Sequence, residues 1–185
     1  MRIVAGKLKG IKLAAPVGRD TTRPTADKAR ESLFNVLDHG KYSRILRGSR
    51  IVDVFSGTGA LGLEAISRGA KHVAFFERDK LALAALNANI TKCKMDDICQ
   101  IFKSDALRPQ KVNTPYDVLF FDPPYYQDLA SQSTAAFAAQ GWMADDSLSI
   151  IQIHPKDPFT APSGFEIIDE RKYGVARFLF MAKAS

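Results

Sequence analysis

Cysteine is scarce in this chain: Cys93 and Cys99 are its two thiols, at a spacing that fits no metal-ligand pattern. They read as ordinary reduced thiols rather than a disulfide framework. The three histidines, His39, His72 and His154, are scattered. No metal site is expected from them. Long apolar runs are missing, which excludes a membrane-spanning helix. The first residues, Met1-Arg2-Ile3-Val4-Ala5-Gly6-Lys7, lack an apolar core of signal-peptide length. A cytosolic, cytoplasmic location is the expectation. Internal repeats and low-complexity segments are absent too.

What remains is an ordinary globular composition with an uneven charge. The 185 residues, 46% of them hydrophobic, suffice for one sizeable core. Residues 1–44 carry ten Lys/Arg against four acids, whereas 45–185 carry sixteen of each. The whole net charge of +6 therefore sits in the N-terminal quarter. Such a local excess attracts polyanions and is a footprint of nucleic-acid binding, although a solvated basic surface has the same composition.

That quarter also differs in pattern. Residues 2–5 and 11–14 are short apolar-rich runs around Lys7-Leu8-Lys9-Gly10, which predicts a small basic hairpin. Residues 16–24 read as a loop. Thr25 is expected to cap a helix over 26–38, whose Ala26, Ala29, Leu33, Phe34 and Leu37 recur at helical spacing. From Arg50 onward strands alternate with helices: strands over 51–55, 71–77, 98–102, 117–121 and 148–154, helices over 60–68, 80–90 and 129–139. This alternation predicts a parallel, doubly wound α/β sheet. Two final strands, 165–171 and 175–182, joined at Tyr173-Gly174, predict an antiparallel hairpin at the sheet edge. The chain is thus expected to be one domain, with 1–44 as a basic extension and 45–185 as the core.

Two motifs carry chemistry. The apolar run Val118-Leu119-Phe120-Phe121 ends in Asp122-Pro123-Pro124-Tyr125. Two prolines stop the strand and stiffen the backbone that follows. A carboxylate, a rigid carbonyl and an aromatic face are then presented together where ligands of open α/β sheets bind. Asp122 and a proline carbonyl can accept the two hydrogens of an exocyclic amine while Tyr125 stacks on the base. Asp-Pro-Pro is also common turn chemistry, so the tetrapeptide gains weight from a second motif upstream.

That motif is Asp53-Val54-Phe55-Ser56-Gly57-Thr58-Gly59-Ala60-Leu61-Gly62, whose glycines 57, 59 and 62 meet the dinucleotide-binding fingerprint. Glu77 follows at the end of the next strand, where a ribose hydroxyl would be held. Asp53 argues against a pyrophosphate beside this loop, because like charges in a partly buried site repel. A ligand with an ammonium or sulfonium centre is favoured instead. S-adenosylmethionine has both, with a ribose for Glu77, and Asp105 after the third strand is placed to accept from its adenine amine.

Together Asp53–Gly59, Glu77, Asp105 and Asp122–Tyr125 resemble a Rossmann-like S-adenosylmethionine (SAM)-dependent amino-methyltransferase. The N-terminal Arg2-Ile3-Val4-Ala5-Gly6, Gly10, Arg23-Pro24-Thr25, Lys28, Arg30-Glu31 and Leu33-Phe34-Asn35 narrow the match to the RsmD-type family. Those enzymes methylate guanine N2 in bacterial 16S (small-subunit) rRNA. The resemblance runs from Arg2 to about Met181. It implies a seven-stranded sheet and a catalytic corner at Asp122, Pro123, Pro124 and Tyr125. It implies a SAM site, releasing S-adenosyl-L-homocysteine, from Asp53, Phe55, Ser56, Gly57, Thr58, Gly59, Glu77, Arg78, Asp105 and Ala106. Arg23, Lys28 and Arg30 are the expected RNA contacts, with Phe34 and Asn35 near the cofactor. Gln152 and His154 stand where many relatives have a glutamate. Adenine-N6 methylation shares the Pro-Pro motif and stays open, as do a nicotinamide oxidoreductase and a non-catalytic RNA-binding module. An ordinary Asp titrates too low for an efficient base near neutrality, which leaves open whether Asp122 takes the proton. Nothing demands more than a monomer.

Overall fold

The computed structural model describes residues 1–16, 18 and 24–184, with the backbone alone for residues 24–27. The expected loop over 16–24 and Arg23 fall largely or wholly outside these residues. Eleven regular elements follow in order: α1 (Pro24–Asp38), β1 (Arg50–Val54), α2 (Ala60–Ser67), β2 (His72–Phe76), α3 (Lys80–Cys93), β3 (Cys99–Phe102), β4 (Tyr116–Phe121), α4 (Leu129–Ala139), β5 (Met143–Ile153), β6 (Phe165–Tyr173) and β7 (Ala176–Lys183). Helix α1 begins at Pro24, so Thr25 lies in its first turn instead of capping it. Proline suits that first position because its missing N–H would have no helical partner there.

The seven strands form one sheet in the order β3-β2-β1-β4-β5-β7-β6. The first five in this order are parallel; β7 runs antiparallel to β5, and β6 antiparallel to β7. The C-terminal hairpin therefore closes one edge as expected, with β6 outermost. Strand β5 starts five residues before the expected Leu148. Its first part reaches Tyr116 across a register shift and continues the sheet beyond the apolar run that marked it in the sequence.

Alternate strand residues feed two cores. Ile51, Val73, Phe75, Val118, Phe120 and Phe180 face α1, α2 and α3, packing with Leu33, Phe34, Leu37, Leu63 and Leu86. Val52, Val54, Phe76, Leu119, Phe121 and Met181 face α4, where Phe137 and Trp142 fill the layer. The period of two along each strand is what separates these sets.

The N-terminal hairpin is reduced to a single antiparallel bridge, Arg2 with Lys12, around a short 3-10 turn at Gly6–Leu8. It is held to the core by buried polar side chains. Glu64, 1% exposed, accepts from the amides of Val4 (2.7 Å) and Ala5 (3.1 Å). Ser67 Oγ accepts from Leu8 N at 2.9 Å. Asn89 accepts from Ala14 N at 2.7 Å and donates to the carbonyls of Ala14 and Thr58. Gly6 approaches α2 so closely, at φ +77°, that a Cβ there would sit 1.8 Å from the Ser67 carbonyl oxygen.

Candidate active site

Strands β1, β2 and β4 end side by side, and the chain leaves them at Phe55, Glu77 and Asp122. The sheet order reverses between β1 and β4, which opens a crevice at the strands' C-terminal ends. A cavity of about 700 Å³ occupies it. Phe55, Ser56, Gly57, Thr58, Glu77, Arg78, Asp105, Ala106, Asp53 and the Asp122–Tyr125 corner all line it. Gly59 does not; it stands before α2 at φ +79° and shapes the loop from behind.

The carboxylates give the cavity its character. Asp53 is 1% exposed, and its Oδ2 accepts from Gly62 N at 2.8 Å. Burial pushes its carboxyl well above the usual range, the Gly62 amide opposes this, and Asp122 and Glu77 add to the rise. Glu77 Oε2 accepts from Gly57 N at 2.8 Å, and Oε1 from Arg78 N (2.7 Å) and Asp79 N (2.8 Å). Two amides of the glycine fingerprint are thus already used by carboxylates. A pyrophosphate would need such amides and would meet negative charge instead, so this lining suits a cationic, phosphate-free ligand. Asp105 accepts from Leu107 N and pairs with Arg78 Nη1 at 3.1 Å, the guanidinium crossing towards the expected adenine acceptor.

Asp122 forms another wall. Burial pushes its carboxyl up to about 7. The expectation of an ordinary, too acidic Asp is thereby revised: the low-dielectric corner penalises its charged form. Pro123 is buried and Pro124 exposed. The hydroxyl of Tyr125 accepts from Gln152 Nε2 at 3.3 Å, so the neutral residue at that β5 position anchors the ring. Beside it, the Tyr126 and His154 ring centroids lie 4.9 Å apart.

The basic residues separate. Lys28 is exposed on α1. Arg30 is 7% exposed, donates to the Arg2 carbonyl at 3.1 Å and lines the cavity, so it does not stand on the outer surface. Phe34 and Asn35 are not at the cofactor cavity. Phe34 is buried 5.8 Å from the Phe120 ring, because the apolar stripe of α1 faces the sheet. Asn35 lines a separate groove with His39, Lys41 and Arg171. Sequence reasoning missed the lining by Met1, Pro16, Asp79, Ser104 and Leu129, and it marked Gln152 only as standing where relatives have a glutamate. Asp79 alone carried a local signal, as the N-cap of α3 accepting from Ala82 N at 2.9 Å. Among the described residues, no group of three or more His, Cys, Asp or Glu is placed to hold a metal ion. No helix among them is long and apolar enough to cross a membrane.

Sheet order, switch-point cavity and antiparallel C-terminal hairpin define a Rossmann-like methyltransferase. A solved structure from Escherichia coli, described as "Putative methyltransferase yhhF", superposes with a TM-score of 0.83 at 28% identity, covering 99% of this chain and 97% of that one. The "Ribosomal RNA small subunit methyltransferase D" of Haemophilus influenzae is 31% identical over 182 residues, 96% of this chain and 91% of its own length. The Escherichia coli K12 protein of the same name is 31% identical over 188 residues, covering 100% of this chain and 91% of its own. The family model described as "Conserved hypothetical protein 95" matches residues 1–182, and the chain belongs to that family, in which the RsmD-type resemblance falls.

Proposed function

We propose that this enzyme transfers a methyl group from S-adenosylmethionine to the exocyclic N2 amine of a guanine in small-subunit (16S) rRNA. The observation that carries the reading is the Asp122-Pro123-Pro124-Tyr125 corner, set in one cavity with a glycine loop whose amides are capped by Asp53 and Glu77. The relatives named for small-subunit rRNA methylation support the substrate.

When bound, S-adenosylmethionine supplies a methyl group on a positively charged sulfur and departs as S-adenosyl-L-homocysteine. Asp53 would hold its cationic end, Glu77 its ribose, and Asp105, Ala106 and Arg78 its adenine. A cation in the cavity favours the ionised forms of Asp53 and Asp122. Asp122 and the Pro123 carbonyl accept the two N2 hydrogens and hold the amine in line. Positioning and electrostatic stabilisation thus supply most of the rate. Asp122, its carboxyl raised by burial above that of an ordinary Asp, also takes the proton that N2 loses and passes it to solvent. Tyr125, tied to Gln152, stacks on a base turned out of its helix or loop. The basic extension 1–44, through Arg23 and the exposed Lys28, meets the RNA, while Arg30 serves the cavity from inside, and 45–185 performs the transfer.

Labelled methyl transfer to protein-free 16S rRNA, under-methylated small subunits and duplex DNA, with nucleoside analysis, tests this. N2-methylguanosine in either RNA sample is expected, abolished by Asp122→Ala with donor affinity nearly intact. N6-methyladenine in DNA would overturn the substrate. Donor binding without transfer to any acceptor would overturn the catalytic reading in favour of a binding module.

A further inference from the structure

Tyr126 stands just outside the cavity, and its ring is not part of either core. It is 70% exposed, more than any other large apolar side chain among the described residues. Its backbone lies at φ +64°, a region glycine adopts freely and a tyrosine enters at a cost. Stability alone would not place an aromatic ring there. The backbone that carries it is nevertheless fixed. Asp157 Oδ2 accepts from Tyr126 N (3.2 Å) and from His154 N (3.3 Å), so one carboxylate ties together the two residues whose rings meet at 4.9 Å. Lys156, exposed beside them, adds a cation suited to a phosphate.

The angle decides what such a pair can receive. The Tyr125 and Tyr126 rings are 6.2 Å apart and inclined at 83°. A base on each face would be nearly perpendicular to the other, so two adjacent nucleotides can occupy both only when unstacked from one another. Resting on the function proposed above, we propose that Tyr126 with His154 is a second stacking platform, for the unpaired base next to the target guanine. The substrate is then bound with these two bases splayed apart. Aromatic faces hold bases irrespective of sequence, so the platform selects single-stranded context and not base identity.

Tyr126→Ala and Tyr126→Trp test this in the full chain. Loss of one base–aromatic stack should raise the KM for small-subunit rRNA roughly 5- to 150-fold, with kcat at saturating RNA and donor Kd unchanged. Tyr126→Trp should restore KM, and Tyr126→Leu should not. A second readout does not need turnover. Heptamer RNAs with a single guanine among uridines, and 2-aminopurine on one or the other side of it, should show quenched fluorescence on the parent and not on Tyr126→Ala. Equal KM in parent and Tyr126→Ala, or equal quenching, overturns the platform. Full rescue by leucine overturns it too, since leucine fills space without a ring face. A parent that quenches the probe yet methylates no RNA would defeat the proposed function while leaving the platform standing.

Discussion

Replacing Asp122 by asparagine should make the protein more stable and less active, by an amount that depends on pH. Burial raises its carboxyl from 3.8 to about 7. Between those values the folded chain holds a proton that the unfolded chain has released. Stability therefore falls as pH rises from about 4 to about 7 and levels off above. A shift of about three units corresponds to roughly 4 kcal/mol lost above pH 7, and to less than half of that at pH 5. Asp122→Asn carries no charge at either pH and escapes this cost. Asp53 titrates in both proteins, and loss of the Asp122 charge also eases its rise, so the difference between them reads Asp122 together with its coupling to Asp53. The stability gap should widen by roughly 2 to 3 kcal/mol between pH 5 and pH 8.5. For a chain of this size that is roughly 5 to 10 °C in Tm, read by thermal unfolding of parent and variant in matched buffers. Turnover should drop by about a hundredfold or more, because an amide cannot take the proton. A Tm difference that is the same at both pH values would refute the reasoning. It would mean that the corner does not hold Asp122 protonated and that geometry alone accounts for its role.

Glu77→Gln removes the charge and leaves one oxygen where two accept from Gly57, Arg78 and Asp79. Donor Kd by calorimetry should rise roughly 5- to 100-fold as buried amides lose their acceptor; an unchanged Kd would show that Glu77 serves the loop and not the ligand. Gly6→Ala meets the Ser67 carbonyl oxygen at 1.8 Å, whereas Gly10, at φ +88°, has nothing within 4 Å of a built Cβ. Both substitutions carry the backbone cost of about 1 kcal/mol, and Gly6→Ala should cost roughly 2 kcal/mol more in chemical denaturation. Equal losses at the two positions would show that the N-terminal arm does not dock closely on α2.

Asp122 and Gly57 illustrate how legible this site was. Their place at strand ends follows from local pattern: an apolar run cut by two prolines, and a strand passing through glycines into a helix. So does the five-strand parallel arrangement, since strand–helix alternation leaves few topologies. Arg30 and Phe34 were harder. Both lie on α1, and periodicity gives the helix a wet and a dry side without saying what covers either. Docking of residues 1–14 through Glu64, Ser67 and Asn89 turns Arg30 inward to the Arg2 carbonyl and the cavity. The apolar stripe carries Phe34 to the sheet, away from the cofactor.

The sequence by itself determined the strands and helices, the glycine loop, the acid–Pro–Pro–Tyr corner and the basic N-terminal quarter, because each is written in neighbouring residues. The tertiary structure alone decided which groups meet across the chain. Glu77 reaches Gly57 twenty residues back, Glu64 holds Val4 from sixty away, and Gln152 holds Tyr125 from twenty-seven. It also raised the carboxyls of Asp53 and Asp122 above the ordinary range, since a carboxyl's affinity for its proton depends on the water and charge that folding removes or brings near.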